Sequence, residues 1–388
     1  MSSSDTASVS TLSRRDWLKF AGIGATTLGA SAFVSSCSQQ TATADTADAM
    51  PDMDAIAIMS SNENPFGPSP KAVEAMKGEL SNIYRYTYPS IVALTEQIAK
   101  RENVSPDQIL ITNGSQPILG HFSLWANSKG LKILTSELTY EGVPRVAEAF
   151  GAEVDYSPVK ADLGFDLETI GAKVKPGTCV YICNPNNPTG KTIDPAQLDA
   201  FVDSVSSQVP VFIDEAYLDI ADDYEKQVMT KYVRMGRPVV VARTFSKIYG
   251  MAGQRIGYAL MPADMIAEFY EFQLMSNVNK LGLVAASASL DDTAHFEDMR
   301  VKIKLGREKL IAMARDIGRP IAEDPQGSFI YMDTGMNAGE FSARMMEKGV
   351  RVVGSRWSER PEWSRICVGL PHEIEKCHAA AKEILTSI

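Results

Sequence analysis

Short apolar runs rich in β-branched residues alternate with helical patterns along the middle of the chain, from about Val104 to Met261. In order, the runs are QILIT, LKILT, AEVDYS, TCVYIC, VPVFIDE, RPVVVAR and RIGYAL. Such alternation is typical of a mostly parallel sheet with helices on both faces. The sequence therefore predicts an α/β fold with one large α/β/α sheet domain.

The pattern changes after about Ser276. A long charged helical stretch near residues 291–317 leads into GSFIYMD, a further helix, VRVV, SRICVGL and a terminal helix. This mixture predicts a smaller α+β domain, which the segment before about Tyr84 helps to complete. The expected folded parts are an N-terminal segment over residues 60–90, a large domain over residues 91–276 and a small domain over residues 277–388.

The 388-residue chain is 45% hydrophobic and 22% charged, which suits a soluble globular protein with a sizeable core. Its formal net charge of −10 supplies no basic field, so the sequence argues against nucleic acid as a partner. The four histidines show no metal-ligand spacing, and Cys179 and Cys183 lie in an apolar run typical of a core strand. A metal-dependent mechanism therefore has no support in the sequence.

Arg14 and Arg15 precede a weakly apolar run that is rich in Gly and Ala and too poor in Leu and Ile to be a convincing membrane span. This segment resembles a twin-arginine export signal, and the alternative is a disordered tail with a chance arginine pair. Residues 38–59, which are rich in Thr, Ala and Asp, predict a flexible linker behind it.

The run Val34-Ser35-Ser36-Cys37 resembles a bacterial lipobox, in which Cys37 becomes the lipidated first residue of the mature chain. Cleavage after Ala32 by the ordinary small-x-small rule is the alternative. We therefore expect residues 1–37 to be an export signal. The protein would then be periplasmic, or a membrane-anchored bacterial lipoprotein that meets the membrane only through its N-terminal lipid.

Most of the apolar runs are followed by a loop of small or polar residues, and in open α/β sheets such loops converge on one ligand site. Lys247 lies in one of them, next to Ile248. A surface lysine is solvated by default, whereas a buried amine is readily deprotonated and can attack a carbonyl. Hydrogen-bond donors for a phosphate would come from Thr244, Ser246, Arg255 and the NGS turn of residues 113–115.

Neighbouring loops add groups that would suit an aromatic cofactor. Asp214 follows the run VPVFI, so its carboxylate would emerge at the sheet edge, where it can hold a pyridinium nitrogen protonated. Tyr217 and Asn187 could hydrogen-bond a phenolic oxygen, and Tyr140 offers a face for stacking. Together these groups meet the requirements of pyridoxal phosphate.

Seven motifs follow one another in the order found in one family: NENPFGPSP, RYTYP, TNGSQ, CNPNNPTG, IDEAY, RTFSKIYGMAGQRIGY and SRICVG. From about Ile58 to its end the chain resembles a class I/II aminotransferase of fold type I, and it is most similar to the histidinol-phosphate aminotransferase branch. The resemblance implies pyridoxal phosphate and a ping-pong Schiff-base mechanism. An amino group would pass between an amino acid, or a histidinol-phosphate-like amine, and a 2-oxo acid.

The resemblance also implies a role for each matching residue at the reactive part of the cofactor. Lys247 would be the Schiff-base lysine, and Asp214 would pair with the pyridine nitrogen. Tyr217 and Asn187 would hold the phenolic oxygen, while Tyr140 would stack on the ring. The catalytic residues would accordingly be Lys247, Asp214 and Tyr217.

Further implied roles concern the phosphate, the partner subunit and the substrate. Tyr86 would reach the phosphate of the neighbouring subunit, which implies a homodimer with a contact in the N-terminal segment. Arg365, with Asn187 beside it, would bind a substrate carboxylate or phosphate. The cofactor phosphate would be surrounded by Gly114, Ser115, Thr244, Ser246 and Arg255.

The motifs depart from the family at the substrate side. The histidinol-phosphate branch usually has a second arginine after its GV-I-V strand, but Val353 occupies that position here, with Arg351 and Arg356 nearby. Two alternatives to an aminotransferase remain open at this point. One is a lyase, racemase or decarboxylase that uses pyridoxal phosphate on the same fold, and the other is a tethered protein that binds without catalysis.

Overall fold

A computed structural model describes residues 56–272 and 278–386 of the protein. The predicted export signal, the lipobox and most of the predicted linker lie outside these residues. The linker prediction extends to residue 59, but Ala57–Ile58 form a strand and Met59 is fully buried. This end of the predicted linker is part of the fold, because the N–H groups of Ala57 and Met59 donate to backbone oxygens in the C-terminal part of the chain.

The described strands lie between Ala57 and Cys367. They are β1 (Ala57–Ile58), β2 (Ile109–Thr112), β3 (Lys132–Ser136), β4 (Val154–Ser157), β5 (Thr178–Cys183), β6 (Val211–Asp214), β7 (Val239–Thr244), β8 (Gly257–Leu260), β9 (Phe329–Asp333), β10 (Val350–Arg351) and β11 (Trp363–Cys367).

The described α-helices are α1 (Pro70–Glu79), α2 (Tyr88–Glu102), α3 (Gln116–Ser128), α4 (Pro144–Ala149), α5 (Leu167–Ala172), α6 (Pro195–Ser206), α7 (Thr230–Arg234), α8 (Ala263–Tyr270), α9 (Lys280–Leu290), α10 (Thr293–Asp316), α11 (Ala338–Glu347) and α12 (Pro371–Leu385). Short 3₁₀ turns cover Leu80–Asn82, Pro106–Gln108, Leu218–Ile220, Tyr224–Gln227 and Ala252–Gln254.

Capping residues explain where some of these helices begin. The side chains of Ser69 and Asp194 accept hydrogen bonds from the backbone N–H groups of Ala72 and Gln197, and a proline follows each cap. Such side chains satisfy N–H groups that have no partner within the helix, and the fixed φ of proline suits the first helical position. Local sequence therefore sets the starts of α1 and α6.

Within the described residues, seven strands form one sheet in the order β2-β8-β7-β6-β5-β3-β4. Strand β8 runs antiparallel to β2 and β7, and the other neighbouring pairs are parallel. Strands β5 and β7 are buried along their whole length, as expected for apolar strands covered on both faces. Each of the seven apolar runs overlaps one of these strands, so the predicted sheet is confirmed.

The strand order brings several loops to one edge of this sheet. Strands β4 and β5 lie on opposite sides of β3, so the winding of the chain reverses there, and ligands bind at such reversal points. The carboxyl ends of β3, β5, β6 and β7 meet at this edge. Because β8 is antiparallel, its first residue Gly257 lies beside Thr244 of β7 and Thr112 of β2.

The remaining strands form two small pairs. Strand β1 is parallel to β10, and β9 is antiparallel to β11 with Tyr331 opposite Arg365. The N–H of Cys367 donates to the Met59 carbonyl at 2.9 Å, so the N-terminal segment is bonded to the end of β11. This is the predicted α+β part. No helix in residues 56–272 or 278–386 is long and apolar enough to cross a bilayer.

Candidate active site

A cavity of about 630 Å³ opens at the carboxyl edge of the large sheet. The N-terminal segment, the loops after the strands and β11 all contribute to its wall. Most of the residues predicted from sequence line it: Ser115, Tyr140, Asn187, Asp214, Tyr217, Thr244, Ser246, Lys247, Arg255 and Arg365. The structure therefore brings together residues that are up to 250 positions apart in the sequence.

Lys247 lies in the loop between β7 and β8 and is half-buried. Its Nζ atom is 5.4 Å from the centroid of the Tyr217 ring. Burial lowers the pKa of Lys247 to about 8, and the positive charge of Arg365 acts in the same direction. The amine is therefore easier to deprotonate than that of an exposed lysine.

Asp214 is the last residue of β6 and is only 2% exposed. One carboxylate oxygen accepts a hydrogen bond from the Ala216 N–H at 3.0 Å. Burial raises the pKa of Asp214 to about 6, against the opposing effects of that hydrogen bond and of the Lys247 charge. A cation placed beside this carboxylate would favour its ionised form, and the carboxylate would stabilise the cation in return.

Two asparagines hold the hydroxyl of Tyr217. Asn62 donates to it through Nδ2 at 2.7 Å, and Asn187 donates through Nδ2 at 3.5 Å. The Tyr217 ring packs edge-on against Phe329 of β9, with ring centroids 5.1 Å apart. The hydroxyl thus keeps its own proton available for an acceptor in the cavity, because both asparagine contacts use its oxygen.

Arg365 lies in β11 and is 3% exposed. Its guanidinium donates to Asn187 Oδ1 at 2.6 Å and to the Ser60 carbonyl at 2.8 Å. The guanidinium carbon also lies 5.4 Å from the Phe329 ring centroid and 5.7 Å from the Trp357 ring centroid. Among the described residues its Nε atom has no hydrogen-bond partner, so a buried donor is left for a ligand.

Thr244, Ser246 and Arg255 form a connected group of donors. Thr244 Oγ1 donates to Ser246 Oγ at 3.0 Å, and an Arg255 Nη atom donates to the same Ser246 oxygen at 3.3 Å. Gly114 packs against the Arg255 guanidinium so closely that a Cβ atom there would collide with it. With Ser115 at the start of α3, this group suits a phosphate.

The two remaining predicted residues lie differently. Tyr140 is half-buried in the cavity wall, and its hydroxyl donates to Gln116 Oε1 at 2.7 Å. Tyr86 is 93% exposed on the surface of the chain, away from the described wall. Its predicted role in a neighbouring subunit stays a prediction.

The cavity also contains residues for which sequence reasoning predicted no role: Ser60, Ser61, Asn62, Glu63, Gln116, Arg145, Ala216, Ala252, Gly253 and Arg356. Asn62 begins the NENPFGPSP motif, so a signal for it was present although its contact was not predictable. Arg145 lies in α4 and Arg356 lies in a loop before β11, and no motif marks either of them.

The observed groups fit a cofactor that carries an anionic group, a basic ring nitrogen and a reactive carbonyl. Asp214 is a buried carboxylate that can hold a cation, and the Arg255 group can hold an anion. Lys247, an amine with a lowered pKa, lines the same cavity. Within the described residues, no cluster of three or more His, Cys, Asp or Glu side chains could hold a metal ion.

The sequence pattern of the aminotransferase class I and II family matches residues 55–384. The chain belongs to this family. Membership confirms the predicted fold class, which is a fold type I transferase, and the prediction that the protein is an aminotransferase. It also explains why the loops after strands that are distant in the sequence carry groups for one cofactor.

Two curated relatives cover most of the chain. The histidinol-phosphate aminotransferase of Moorella thermoacetica is 32% identical over 329 residues, which are 84% of this chain and 85% of the relative. The histidinol-phosphate aminotransferase 2 of Pseudomonas fluorescens is 34% identical over 331 residues, which are 85% of this chain and 89% of the relative.

The fold is also similar to a solved structure, that of the histidinol-phosphate aminotransferase from Sinorhizobium meliloti in complex with pyridoxal-5'-phosphate. The TM-score is 0.78 and the sequence identity is 25%, over 86% of this chain and 91% of that chain. These similarities agree with the family branch that the motifs predict.

Proposed function

We propose that this aminotransferase moves an amino group between an amine donor and a 2-oxo acid, with pyridoxal phosphate as its cofactor. One observation carries the proposal: Lys247, whose pKa is lowered to about 8, shares a cavity with buried Asp214 and with the Arg255 group. The Sinorhizobium relative, which has a similar fold, holds that cofactor.

When bound, pyridoxal phosphate supplies an aldehyde that combines with amines and a ring that accepts an electron pair. Asp214 would hold the proton on the ring nitrogen, because a buried carboxylate stabilises an adjacent cation. The Tyr217 hydroxyl and the Asn187 amide would orient the phenolic oxygen. Arg255 and the neighbouring hydroxyls would bind the phosphate.

Lys247 serves as the attachment point and then as the base. Its neutral amine would take the proton from the substrate carbon that bears the amino group, and the resulting ammonium would deliver that proton to the cofactor carbon that receives the amino group. Arg365 binds the substrate carboxylate through donors that its neighbours leave available. Because Asn187 and Ser60 fix Arg365, and Lys247 lines the same cavity, a substrate bound to Arg365 would present its amine in the cavity that contains Lys247.

Two donor classes fit this reaction. An amino acid would place its carboxylate on Arg365, and a histidinol-phosphate-like amine would place its phosphate there. The second class is favoured by the names of the curated relatives. Against it, Val353 is an apolar residue packed against the cluster that contains Tyr331 and Trp357, whereas the histidinol-phosphate branch usually has an arginine at that position.

A donor screen tests the proposed reaction. We expect the purified protein to convert at least one amino acid or histidinol phosphate in the presence of a 2-oxo acid, with the new amino acid measured by mass spectrometry. Lys247→Ala should lower the rate by about 10²-fold or more, because the base is lost. The exposed Lys309→Ala variant is the matched control and should keep full activity.

Other products in the same screen would contradict the proposal. Ammonia, carbon dioxide or the mirror-image amino acid, formed without a 2-oxo acid, would identify a lyase, decarboxylase or racemase. A cofactor-loaded protein that converts no donor would instead identify a binding protein. Full transamination by Lys247→Ala would refute the role of the lysine.

We also propose that the protein is a homodimer in which Tyr86 of each subunit contacts the phosphate site of the other. The support is an exposed apolar surface around Tyr86, which comprises Leu80, Ile83, Tyr84 and Tyr88. Monomeric soluble proteins rarely expose large contiguous apolar patches, so this surface fits a subunit contact.

Finally, we propose export by the twin-arginine route and lipidation at Cys37. The support is the sequence alone: paired arginines, a weakly apolar run and a lipobox-like end. Replacement of Arg14 and Arg15 by lysine should retain the protein in the cytoplasm. Mass spectrometry of the mature N-terminus should find a lipidated Cys37, and an unmodified terminus at Phe33, produced by cleavage after Ala32, would rule out the anchor.

A further inference from the structure

The cavity wall has two arginines beyond those that the cofactor phosphate and one substrate carboxylate require. Among its described wall residues, the positive groups are Arg145, Lys247, Arg255, Arg356 and Arg365, and the negative groups are Glu63 and Asp214. Arg255 is assigned to the cofactor phosphate and Arg365 to one substrate carboxylate. Arg145 and Arg356 remain without an assigned anion.

Arg356 and Arg365 share an aromatic neighbour, Trp357. Both guanidinium carbons lie near the same indole, 5.8 Å and 5.7 Å respectively from the Trp357 ring centroid. Trp357 is buried, whereas the Arg356 side chain is 38% exposed. A substrate that binds buried Arg365 through one acidic group would therefore extend towards Arg356, at the more solvent-exposed part of the cavity.

The existing partners of Arg356 leave it able to bind a ligand. One Arg356 Nη atom donates to Glu141 Oε1 at 2.7 Å, and Arg145 lies 3.9 Å from the same oxygen. One carboxylate thus serves two guanidinium groups, so a positive charge is left over. Partly exposed ion pairs contribute little to stability, and an incoming anion can share or replace this one.

Among Val353, Arg356 and Arg360, which lie in the segment before β11, Arg356 is the cation that lines the described cavity wall. Val353, three residues earlier, is an uncharged side chain packed against the cluster that contains Tyr331 and Trp357. Arg360 lies four residues beyond Arg356 in the same loop, but it is not part of the described cavity wall. The loop therefore places one guanidinium, that of Arg356, at the cavity.

We propose that Arg356, assisted by Arg145, binds a second anionic group of the substrate, either a side-chain carboxylate or a phosphate monoester. The inference rests on the proposed function, since Arg365 is taken to hold the first anionic group. Arginine suits this role because its planar donors match both carboxylate and phosphate oxygens. Doubly anionic donors and acceptors would thus be preferred to those with an apolar side chain.

Equilibrium binding to the cofactor-loaded protein tests this without turnover. The probes are glutarate, 4-phosphonobutanoate and pentanoate, which share a four-carbon acid chain and differ at its end. Isothermal titration calorimetry should give about tenfold tighter binding of at least one of the two doubly anionic probes than of pentanoate. The better of the two identifies the carboxylate or the phosphate as the preferred group.

Matched variants then assign the effect to the residue. Arg356→Gln should weaken binding of the preferred doubly anionic probe about tenfold and leave pentanoate unchanged, and Arg145→Gln should have a smaller effect of the same kind. Arg360→Gln, which removes the same charge from the same loop, is the control and should bind all three probes as the wild type does. Equal binding of the three probes, or an equal loss in the Arg360 variant, would overturn the inference.

Kinetics separate this inference from the proposed reaction. Arg356→Gln should raise the KM for doubly anionic donors while the spectrum of the bound cofactor stays unchanged. Absence of transamination together with Arg356-dependent glutarate binding would contradict the proposed function but support the anion site. Transamination that is indifferent to Arg356 would support the function and overturn the inference.

Discussion

The ionisation of Lys247 is set by its surroundings. An exposed lysine has a pKa of about 10.4 and is almost fully charged at neutral pH. Burial lowers the pKa of Lys247 to about 8, and the Arg365 charge adds to this effect. A larger share of the amine is therefore neutral near neutral pH, and the neutral form is the one that can attack a carbonyl or accept a proton.

We expect cofactor-free protein to combine with pyridoxal phosphate faster as pH rises through about 8, because only the neutral Lys247 amine reacts. Arg365→Gln removes a positive charge that disfavours the ammonium form, so the pKa should rise and the midpoint should move to higher pH. Stopped-flow absorbance measures the profile. Arg360→Gln is the control, and an unmoved midpoint in the Arg365 variant would contradict the assigned cause.

Asn62 connects three parts of the site through a single side chain. Its Nδ2 donates to the Tyr217 hydroxyl at 2.7 Å, and its Oδ1 accepts from the Cys367 thiol at 2.9 Å. Its φ of 52° lies in the left-handed region, which asparagine and aspartate tolerate better than most residues. The side chain therefore holds Tyr217 in an orientation that keeps the hydroxyl proton free.

Asn62→Asp tests this arrangement without changing the size or the backbone preference of the residue. The aspartate has no donor, so the Tyr217 hydroxyl should donate to it instead and lose its proton for the cofactor oxygen. We expect kcat to fall about tenfold, with the wavelength of the bound cofactor shifted. An equal loss in Tyr217→Phe, with no further loss in the double variant, would show that both act through one hydroxyl.

At the scale of elements, three strands meet closely beside the predicted phosphate site. A Cβ atom on Gly257, the first residue of β8, would lie 2.6 Å from backbone atoms of Gly114 and Ser115. Glycine at this position therefore lets β8 approach the loop after β2. The approach is what places the Arg255 guanidinium, which precedes β8, directly against Gly114.

Gly114→Ala should loosen this packing. Gly114 has φ 81° and its Cβ would collide with Arg255, whereas Gly130 has φ 65° and open space around it. Both alanine variants should lose about 1 kcal/mol of stability from the positive φ. Only Gly114→Ala should weaken pyridoxal phosphate binding, by about tenfold, because it displaces Arg255. Fluorescence titration measures the affinity, and equal affinities in the two variants would refute the argument.

The strands of the large sheet were predictable because all of them except the partly buried β4 are buried apolar runs bounded by polar loops. Strand β1 was not, because a two-residue strand has no periodicity, and its backbone partners lie nearly 300 positions away. The tertiary hydrogen bonds of Ala57 and Met59 therefore override a composition that resembles a linker.

The residues of the site also divide into those that the sequence indicated and those that it did not. Asp214 ends β6, and Lys247 and Asn187 lie in loops that follow strands. At these positions sequence order and strand order together indicate convergence. Asn62 reaches the cavity from a segment outside the sheet, and Arg356 reaches it from a loop of the C-terminal part. Side chains of this second kind are placed by packing between distant segments, which no local pattern encodes.

At the scale of the whole molecule, the N-terminal segment contributes both to the cavity wall and to an exposed apolar surface. Its beginning pairs with β10 and lines the cavity, whereas its later part, from Leu80 to Tyr88, exposes large apolar side chains. Tyr86 is the most exposed of these, at 93%. The burial of this surface against a second copy would bring a tyrosine of one subunit towards the other subunit.

Subunit mixing tests whether Tyr86 acts on the partner's site. Tyr86→Ala and Lys247→Ala should each be nearly inactive as purified homodimers. After the two variants are unfolded, mixed equally and refolded together, about one quarter of wild-type activity should return, because half of randomly paired dimers are mixed and each has one unaltered site. If Tyr86 served its own subunit, both sites of a mixed dimer would carry one defect and no activity would return. Refolded wild-type protein is the control for yield, and light scattering shows whether the active species is a dimer.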